Sequence, residues 1–239
     1  MRWCTSMTTD AGHDGAIDPL SDAKVIDSWE QNAAPWTSAV RGNRIESRSL
    51  VTNKAIIDAV MSRSPGSVLD IGCGEGWLIR ALAEFGVEGI GVDAIPALIE
   101  QAARAAGGDF RVMSYEQIAK GELDVRVDVA VANFSLIGKE AVDDLVAIVP
   151  TLLAPRGSFI IQTLHPSAAG DSVNVDSWRT GNWNGFSSDF TDPAPWYSRT
   201  MGTWTDLLRK TGCRTLEVRE PMHPETKKPA SVVFIADFA

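Results

Sequence analysis

A strict alternation of strand-like and helix-like patterns is the sequence feature that most constrains how this chain can fold. Short buried runs typical of strands occupy residues 67–71, 89–92, 110–113, 127–132 and 158–164. Helical spacing of apolar residues occupies residues 78–85, 96–106 and 140–153 between them. Pro150 should kink or split the last of these helices. Alternating strands and helices joined by short links predict a parallel sheet that helices cover on both faces.

The end of the chain departs from this alternation. A helical pattern through Trp204 ends near Gly212, and two strand-like runs follow at residues 215–219 and 231–238. The link between them is polar and contains proline, which favours an antiparallel hairpin. We therefore expect an α/β fold in which a mixed sheet ends in a reversed pair of strands.

The remaining segments predict additions to this sheet. Residues 1–20 lack apolar periodicity, and we expect a disordered tail. Residues 21–63 show helical spacing with a break near Gly42, which predicts a helical N-terminal cap on the main domain, residues 64–239. Residues 166–200 are rich in glycine, proline and aromatic residues and follow no regular period. A loop of that length is usually functional or disordered, and we expect an inserted lid.

Composition and charge narrow the class of partner. The chain has 239 residues and a formal net charge of −9, a field that repels a phosphate backbone. We expect a small-molecule substrate and no nucleic-acid partner. The three cysteines are unpatterned, which indicates neither a disulfide framework nor a metal site and fits a cytoplasmic protein. The densest apolar run, residues 145–154, is too short to span a bilayer, so we expect no membrane partner.

The stretch from Val68 to Gly76 carries the chemistry of this sequence. It reads as a strand running into a glycine loop that opens a helix, and ligands bind outside the carboxyl ends of such strands. A dinucleotide fingerprint would place its third glycine at position 77, where this chain has Trp77. Asp70 would also repel a pyrophosphate and attract a ligand with an amine and a sulfonium. A nucleotide pocket is therefore predicted, and a nicotinamide oxidoreductase is the disfavoured alternative.

The loop resembles the first motif of class I S-adenosylmethionine-dependent methyltransferases of the small-molecule type. Residues 70–76 have the D-x-G-x-G-x-G form, and Asp93 follows at the end of the second strand. The resemblance covers roughly residues 50–239. It implies a doubly wound, Rossmann-like sheet of seven strands in the order 3-2-1-4-5-7-6, with S-adenosylmethionine as cofactor. A binding module that keeps the cofactor pocket without turnover remains open.

The resemblance also assigns residues to the cofactor. It implies that Asp93 binds the ribose hydroxyls and that Arg48 holds the methionyl carboxylate. The alternatives are a helix N-cap for Asp93 and a surface ion pair for Arg48. Ser114 and Tyr115, which would contact adenine, could instead merely start a helix. The full set that the resemblance implies is Arg48, Asp70, Gly72, Gly74, Gly76, Asp93, Ser114, Tyr115, Asn133 and Phe134.

Missing motifs narrow the methyl acceptor. Enzymes that methylate base amines carry an Asn/Asp-Pro-Pro-aromatic motif after the fourth strand, where this chain has Asn133-Phe134-Ser135-Leu136. A Pro-Cys nucleophile of the cytosine type is also missing. We therefore expect transfer to an oxygen or nitrogen of a small, aromatic or amphipathic metabolite.

Methyl transfer needs alignment and, for some acceptors, removal of a proton. His165 follows the fifth strand at the expected acceptor rim, and it is our candidate general base, with a structural or capping histidine as the alternative. The candidate acceptor-binding residues are Trp36, Trp196, Tyr197, Arg199 and His223. The aromatic residues of the insertion could equally form only the core of a flap.

Overall fold

The computed structural model describes residues 17–167 and 175–239. The predicted tail therefore falls almost wholly outside the described residues, as does part of the predicted lid. The main sheet has the strand order β3-β2-β1-β4-β5-β9-β8. Its strands are β1 (Ser67–Ile71), β2 (Glu88–Asp93), β3 (Asp109–Val112), β4 (Val127–Asn133), β5 (Leu153–Thr163), β8 (Thr215–Arg219) and β9 (Val232–Asp237). Two further strands, β6 (Ser177–Arg179) and β7 (Trp196–Ser198), form a separate ribbon.

This order confirms the predicted 3-2-1-4-5-7-6 arrangement, since the ribbon adds two strands to the numbering before the last pair. β1 pairs in parallel with β2 and β4, whereas β9 runs antiparallel to both β5 and β8. The predicted terminal hairpin is thus confirmed. Because β1, β2 and β4 are parallel, their carboxyl ends at Ile71, Asp93 and Asn133 meet at one edge of the sheet.

Seven α-helices occur in the described ranges, and two short helical turns of other types accompany them. The α-helices are α1 (Asp22–Arg41), α2 (Asn53–Met61), α3 (Trp77–Ala83), α4 (Pro96–Ala105), α5 (Tyr115–Ala119), α6 (Glu140–Ile148) and α7 (Met201–Lys210). A π-helical turn, Arg48–Thr52, leads into α2, and a 3-10 turn, Val149–Leu152, follows α6. Pro150 lies in that 3-10 turn, so the expected break in the helix is confirmed.

Helices cover both faces of the sheet, as the alternating pattern predicts. On one face, Leu145 of α6 and Trp204 of α7 pack against Phe234 of β9. On the other face, Ile56 of α2 and Leu78 of α3 share a core cluster with strand side chains that point the opposite way from the sheet. The central strands therefore carry continuous apolar runs, because both of their faces are buried.

The N-terminal helices fill the segment predicted as a cap. α1 ends at Arg41, which confirms the break predicted near Gly42. α1 packs on α4, where Ala33 meets Ile95 and Leu98. Among the described residues, no helix combines the length and the apolar character needed to cross a membrane.

The described part of the insertion contains the β6–β7 ribbon, although the sequence predicted no regular element there. Each ribbon strand is only three residues long, too short to show an alternating pattern. Between the two strands lie Trp183, Phe186 and Phe190, which form one aromatic cluster. These rings contact Trp29 and Trp36 of α1, so the insertion packs on the N-terminal helix.

Candidate functional site

A cavity of about 970 Å³, including its open mouth, lies at the carboxyl ends of β1, β2 and β4. Its two sides differ in character. The polar wall comes from Arg48, in the π-helical turn before α2, and from strand ends and the segments after them: Gly72, Gly74, Asp93, Ser114, Tyr115, Asn133 and Phe134. The apolar wall comes from α1 and the segment after β4: Val25, Ile26, Trp29, Ile137, Ala141 and Val142. The polar wall unites eight of the residues predicted to bind a cofactor.

The glycine loop brings backbone close to the cavity. Gly72 has φ +75°, and a Cβ there would lie 2.3 Å from Cβ of Ser135 and 2.9 Å from Oη of Tyr115. Only glycine therefore fits this turn. Gly76 is enclosed differently, since a Cβ there would lie 2.7 Å from the Phe110 ring. Gly76 thus allows α3 to pack near β3 and lies outside the cavity lining, and its contact with a cofactor stays a prediction.

Asp93 ties the glycine loop to the end of β2. Its Oδ2 accepts a hydrogen bond from the amide of Gly74 (2.9 Å), and its Oδ1 accepts one from the amide of Ile95 (2.9 Å). The N-cap of α4 is Ile95, two residues later, and it has no side-chain capping bond, so Asp93 does not fill the N-cap role considered as its alternative. Burial raises the pKa of Asp93, and its backbone hydrogen bonds partly offset that effect. Each carboxylate oxygen keeps a further lone pair for a ligand hydroxyl.

Arg48 and Asp70 are buried charged groups beside this loop. Arg48 is 9% exposed and lies between two indole rings, with Cζ 4.7 Å from the Trp77 ring centroid and 5.6 Å from that of Trp36. Burial lowers the pKa of Arg48 to about 10. Nη2 of Arg48 and Oδ1 of Asp70 have no hydrogen-bond partner in the described structure. A buried guanidinium with a free donor does not fit the surface ion pair considered as its alternative.

The pKa of Asp70 is raised to about 8. Burial is the main cause, repulsion from Asp93 adds to it, and the Arg48 charge opposes it. Asp70 is 2% exposed and lies outside the residues that line the cavity. Its predicted contact with a cofactor stays a prediction.

The loops after β3 and β4 complete the polar wall. The Ser114 side chain accepts a hydrogen bond from the amide of Gln117 (3.2 Å) and caps α5, which confirms the helix start considered for this position. Tyr115 donates from its hydroxyl to the carbonyl of Ser135 (3.1 Å). Asn133 Oδ1 is buried without a partner, and Phe134 has φ +56°, a strained value for a residue with a side chain. Both groups border the cavity.

Glu75 is a residue of the site that the sequence reasoning missed. It is 1% exposed, and it pairs with Arg41 of α1 (2.7 Å) and Arg80 of α3 (2.6 Å). The pair of arginines fixes the glycine loop to both helices and balances the buried carboxylate. An acid inside the glycine motif was the available signal, but its partner Arg41 lies 34 residues away.

The predicted acceptor residues divide between the cavity and the structure behind it. Trp36 lines the cavity. Tyr197 donates its amide to the carbonyl of Ile137 (2.7 Å), and Arg199 donates to the carbonyl of Gly138 (2.8 Å), so both lie behind the cavity wall. Trp196 belongs to the ribbon strand β7, and His223 lies in the link between β8 and β9. Direct acceptor contacts by these four residues stay predictions.

His165 also lies outside the cavity lining. Its Nδ1 is 2.6 Å from the Ser167 hydroxyl, and its Nε2 is 2.7 Å from a Glu220 carboxylate oxygen. These contacts join the end of β5 to the end of β8. The catalytic role of His165 stays a prediction. Within residues 17–167 and 175–239, no group of three metal-ligating side chains converges.

None of the residues of the apolar wall was predicted from the sequence. The neighbouring Trp36 was. Val25, Ile26 and Trp29 follow the i, i+1, i+4 spacing that places side chains on one face of α1. The opposite part of this wall, Ile137 and Val142, follows β4. Sequence periodicity identified a helix here but could not indicate which face meets a cavity.

Comparisons with known proteins agree with this geometry. Residues 48–218 match a family model described as a methyltransferase domain. The chain is 24% identical over 215 residues to a cyclopropane-fatty-acyl-phospholipid synthase of Escherichia coli, covering 77% of this chain and 54% of that protein. It is 32% identical over 137 residues to a ubiquinone biosynthesis O-methyltransferase of Xanthomonas campestris, covering 52% of this chain and 54% of that protein.

A solved structure shares the fold across nearly the whole chain. The 1,6-didemethyltoxoflavin-N1-methyltransferase of Burkholderia thailandensis, with S-adenosylhomocysteine bound, superposes with a TM-score of 0.61. The match is 21% identical and covers 95% of this chain and 93% of that one. At this identity the likeness establishes the fold alone. This chain spans about half the length of the curated relatives it matches.

Proposed function

This chain belongs to the methyltransferase-domain family, and from that premise we propose that it is an enzyme that transfers a methyl group from S-adenosylmethionine to a small acceptor. The observation that carries the proposal is the polar wall, where Arg48, Asp93 and the glycine loop meet at the carboxyl ends of parallel strands. We further propose that the acceptor is an aromatic or amphipathic metabolite, methylated on oxygen or nitrogen. The apolar wall and the net charge of −9 support that class over a nucleic acid.

The residues of the polar wall fit this cofactor. S-adenosylmethionine carries a ribose diol, an ammonium, a carboxylate and a sulfonium. Three buried atoms at or beside the polar wall have no hydrogen-bond partner: Arg48 Nη2, which is a donor, and Asp70 Oδ1 and Asn133 Oδ1, which are acceptors. A donor suits the carboxylate, and acceptors suit the ammonium. The open side of Gly74, where the nearest atom to a Cβ is Trp36 Nε1 at 3.6 Å, leaves room for a ligand over the loop.

Each residue then has a binding or orienting role. When bound, the cofactor supplies a methyl group on a positively charged sulfur. Asp93 accepts from the ribose hydroxyls, Arg48 holds the carboxylate, and Ser114 and Tyr115 border the adenine. Asp70, whose pKa burial raises to about 8, would place negative charge near the ammonium once the cationic ligand favours its ionised form. The apolar wall excludes water and aligns the acceptor, since displacement at a methyl carbon needs chiefly the correct approach of the two groups.

Two alternatives are less well supported. A nicotinamide oxidoreductase would need a small residue where Trp77 stacks on Arg48, and it would place a pyrophosphate near the buried Asp70. A module that binds the cofactor without turnover has the same polar wall. Product formation separates that module from an enzyme. A role for His165 as general base, with its imidazole outside the cavity lining, stays a proposal to be tested on the acceptor once it is known.

The proposal is tested by incubating the protein with S-adenosylmethionine that carries a deuterated methyl group, together with a metabolite extract. We expect a new product with the mass of a labelled methyl group, which the Asp93→Ala variant does not form. S-adenosylhomocysteine should raise the melting temperature, and NAD should not. A shift with NAD alone would contradict the methyltransferase assignment. Binding of S-adenosylhomocysteine without any labelled product, across extracts of different chemistry, would favour the binding module.

A further inference from the structure

Helix α1 has two adjacent faces with different partners. One face carries Val25, Ile26 and Trp29 toward the cavity. The next face carries Ser28 and Asn32, both 0% exposed, beneath the insertion. α1 therefore lies between residues 183–192 of the insertion and the cavity, so this segment acts on the cavity through the helix.

The insertion is fastened to α1 by polar contacts. Asn32 donates from Nδ2 to the carbonyl of Thr191 (2.7 Å), and the amide of Thr191 donates back to Asn32 Oδ1 (3.0 Å). Ser28 donates to the carbonyl of Asp192 (2.5 Å), and Lys24 pairs with the Asp192 carboxylate. These contacts fix the position of residues 183–192 along the helix.

Residues 183–192 also contact the ring of Trp29, which lines the cavity. Trp183 meets Trp29 edge to face, with centroids 6.1 Å apart and planes at 82°. Trp36 meets Trp29 from another side, at 5.0 Å and 84°. Edge contacts of this kind orient an aromatic ring. Trp29 is half-buried, so rings fix it on two sides while it also borders the cavity.

The opposite side of the apolar wall is fixed as well. Asp22, in the first turn of α1, accepts hydrogen bonds from the amides of Lys139 (2.6 Å) and Ala141 (2.8 Å), one at each carboxylate oxygen. Asp22 also lines the cavity, but both oxygens of its carboxylate are already paired with amides at the start of α6. Ile137 and Val142 complete this side with aliphatic surface.

We propose that Trp29 is the specificity-determining residue of an acceptor subsite that takes a planar, uncharged, apolar group. The inference rests on the proposed function and adds the substrate class and its location. A planar ring can stack on the indole and contact the aliphatic side at once. A charged group would lose its hydration against surface whose polar groups are already paired. Trp183 and Asn32 are positioning residues, since they act through Trp29 and α1.

The experiment uses 1-naphthol as a planar probe and decahydro-1-naphthol as a saturated probe of the same carbon skeleton. Both are titrated by calorimetry into the full chain saturated with S-adenosylhomocysteine. We expect 1-naphthol to bind more tightly than its saturated counterpart. Trp29→Ala should weaken 1-naphthol binding by about 10-fold and remove most of the preference, while the affinity for S-adenosylhomocysteine changes less than about 2-fold. Trp29→Phe, which keeps an aromatic ring, should retain most of the preference for 1-naphthol.

Two further variants separate positioning from general damage to the insertion. Trp183→Ala should reduce the preference for the planar probe by about 3-fold, because it frees one side of Trp29. Trp178→Ala is the matched control, since Trp178 lies in the ribbon against Tyr197, does not line the cavity and has no ring contact with Trp29 in the described structure. The Trp178→Ala variant should bind both probes with wild-type affinity.

The outcomes separate the two proposals. Equal binding of the two probes by the wild-type protein, or an unchanged preference in Trp29→Ala, overturns the subsite and leaves the methyltransferase proposal standing. Failure to bind S-adenosylhomocysteine overturns the proposed function, and the subsite falls with it. If Trp29→Ala does not fold, the preference for 1-naphthol is compared between the wild type and Trp29→Phe, and that comparison tests the subsite.

Discussion

The two walls of the cavity hold their polar groups in opposite states. The polar wall keeps buried atoms without partners, including Arg48 Nη2 and Asn133 Oδ1. On the apolar side both oxygens of Asp22 accept amides, and on the adjacent face of α1 Asn32 exchanges two hydrogen bonds with Thr191. The first wall is anchored by the sheet, and the second by contacts between α1, the insertion and the segment after β4.

This difference indicates what each wall selects. A buried polar atom without a partner has already lost its hydration during folding, so a ligand that pairs with it gains nearly the full strength of the new bond. A wall with satisfied polar groups offers shape and apolar area only. The polar wall should therefore discriminate by charge and hydrogen bonding, and the apolar wall by size and planarity.

The largest effect is expected at Asp93. Replacing Asp93 with Ala removes a charged acceptor from the polar wall and also frees the amides of Gly74 and Ile95. Charge-assisted hydrogen bonds contribute about 1.5–3 kcal/mol each, so S-adenosylhomocysteine should bind about 100-fold more weakly or worse. Calorimetric titration measures this change. Asp124→Ala, at an exposed position, is the control and should bind as the wild type does. An unchanged affinity in Asp93→Ala would show that the ribose is held elsewhere.

A change on the apolar side should alter stability and leave the cofactor site intact. Asn32→Ala removes the acceptor of the Thr191 amide and one of two donors to the Thr191 carbonyl, which Trp183 Nε1 also reaches (2.9 Å), and should lower the free energy of unfolding by about 1–2 kcal/mol. Urea unfolding measures the loss, and chymotrypsin should cleave faster at the aromatic residues of the insertion. Affinity for S-adenosylhomocysteine should stay within about 3-fold of wild type. Glu30→Ala, on an exposed face of α1, is the control. Equal stability of the two variants would show that the insertion is not fixed through Asn32.

Arg48 tests which part of the cofactor its guanidinium faces. Arg48→Ala should weaken S-adenosylhomocysteine binding by about 10-fold, since a charged hydrogen-bond donor is lost. 5′-Methylthioadenosine lacks the amino-acid part, so its affinity should change little in the same variant. Arg48→Lys keeps the positive charge but has a single donor nitrogen. Its affinity for S-adenosylhomocysteine should lie between those of the wild type and Arg48→Ala. If both ligands weaken equally, Arg48 supports the pocket through Trp36 and Trp77 and does not bind the carboxylate.

The pH dependence of stability reports on Asp70. Its pKa is raised from an ordinary 3.8 to about 8, mainly by burial. Between those two values the folded protein binds a proton that the unfolded chain has released. The stability of the protein without ligand should therefore fall as the pH rises through this window, by at most about 1.4 kcal/mol per pH unit from this group.

The matched variant isolates that contribution. Asp70→Asn cannot ionise, so its stability relative to wild type should increase between pH 4 and pH 8. Urea unfolding at several pH values measures the difference, with Asp124→Asn as an exposed control. Parallel profiles for wild type and Asp70→Asn would show that Asp70 is already ionised in the folded protein.

The polar wall could be predicted because its signals are local. Residues 70–76 encode a strand, a tight turn and a helix start within seven positions, and the parallel sheet brings Asp93 and Asn133 to the same edge. The terminal hairpin followed from the sequence pattern, and the strand order was what the family resemblance implied. The capping of α5 by Ser114 was likewise among the readings that the sequence allowed.

The apolar wall could not be predicted because its contacts are remote in sequence. The bond from Ala141 to Asp22 spans 119 residues, and the Thr191 to Asn32 bond spans 159. Periodicity identifies α1 as a helix, yet burial of Ser28 and Asn32 contradicts the usual rule that buried faces are apolar. The candidate acceptor residues Tyr197 and Arg199 hold backbone behind the wall, and their direct contact with an acceptor stays a prediction.

The central claim is that one cavity holds two ligands on opposite walls, and the most direct test is whether both bind at once. 1-Naphthol is titrated by calorimetry into the protein alone and into the protein saturated with S-adenosylhomocysteine. We expect one site for each ligand and an affinity for 1-naphthol that saturation with S-adenosylhomocysteine does not weaken. Competition, in which S-adenosylhomocysteine abolishes 1-naphthol binding or is displaced by it, would contradict the two-wall account.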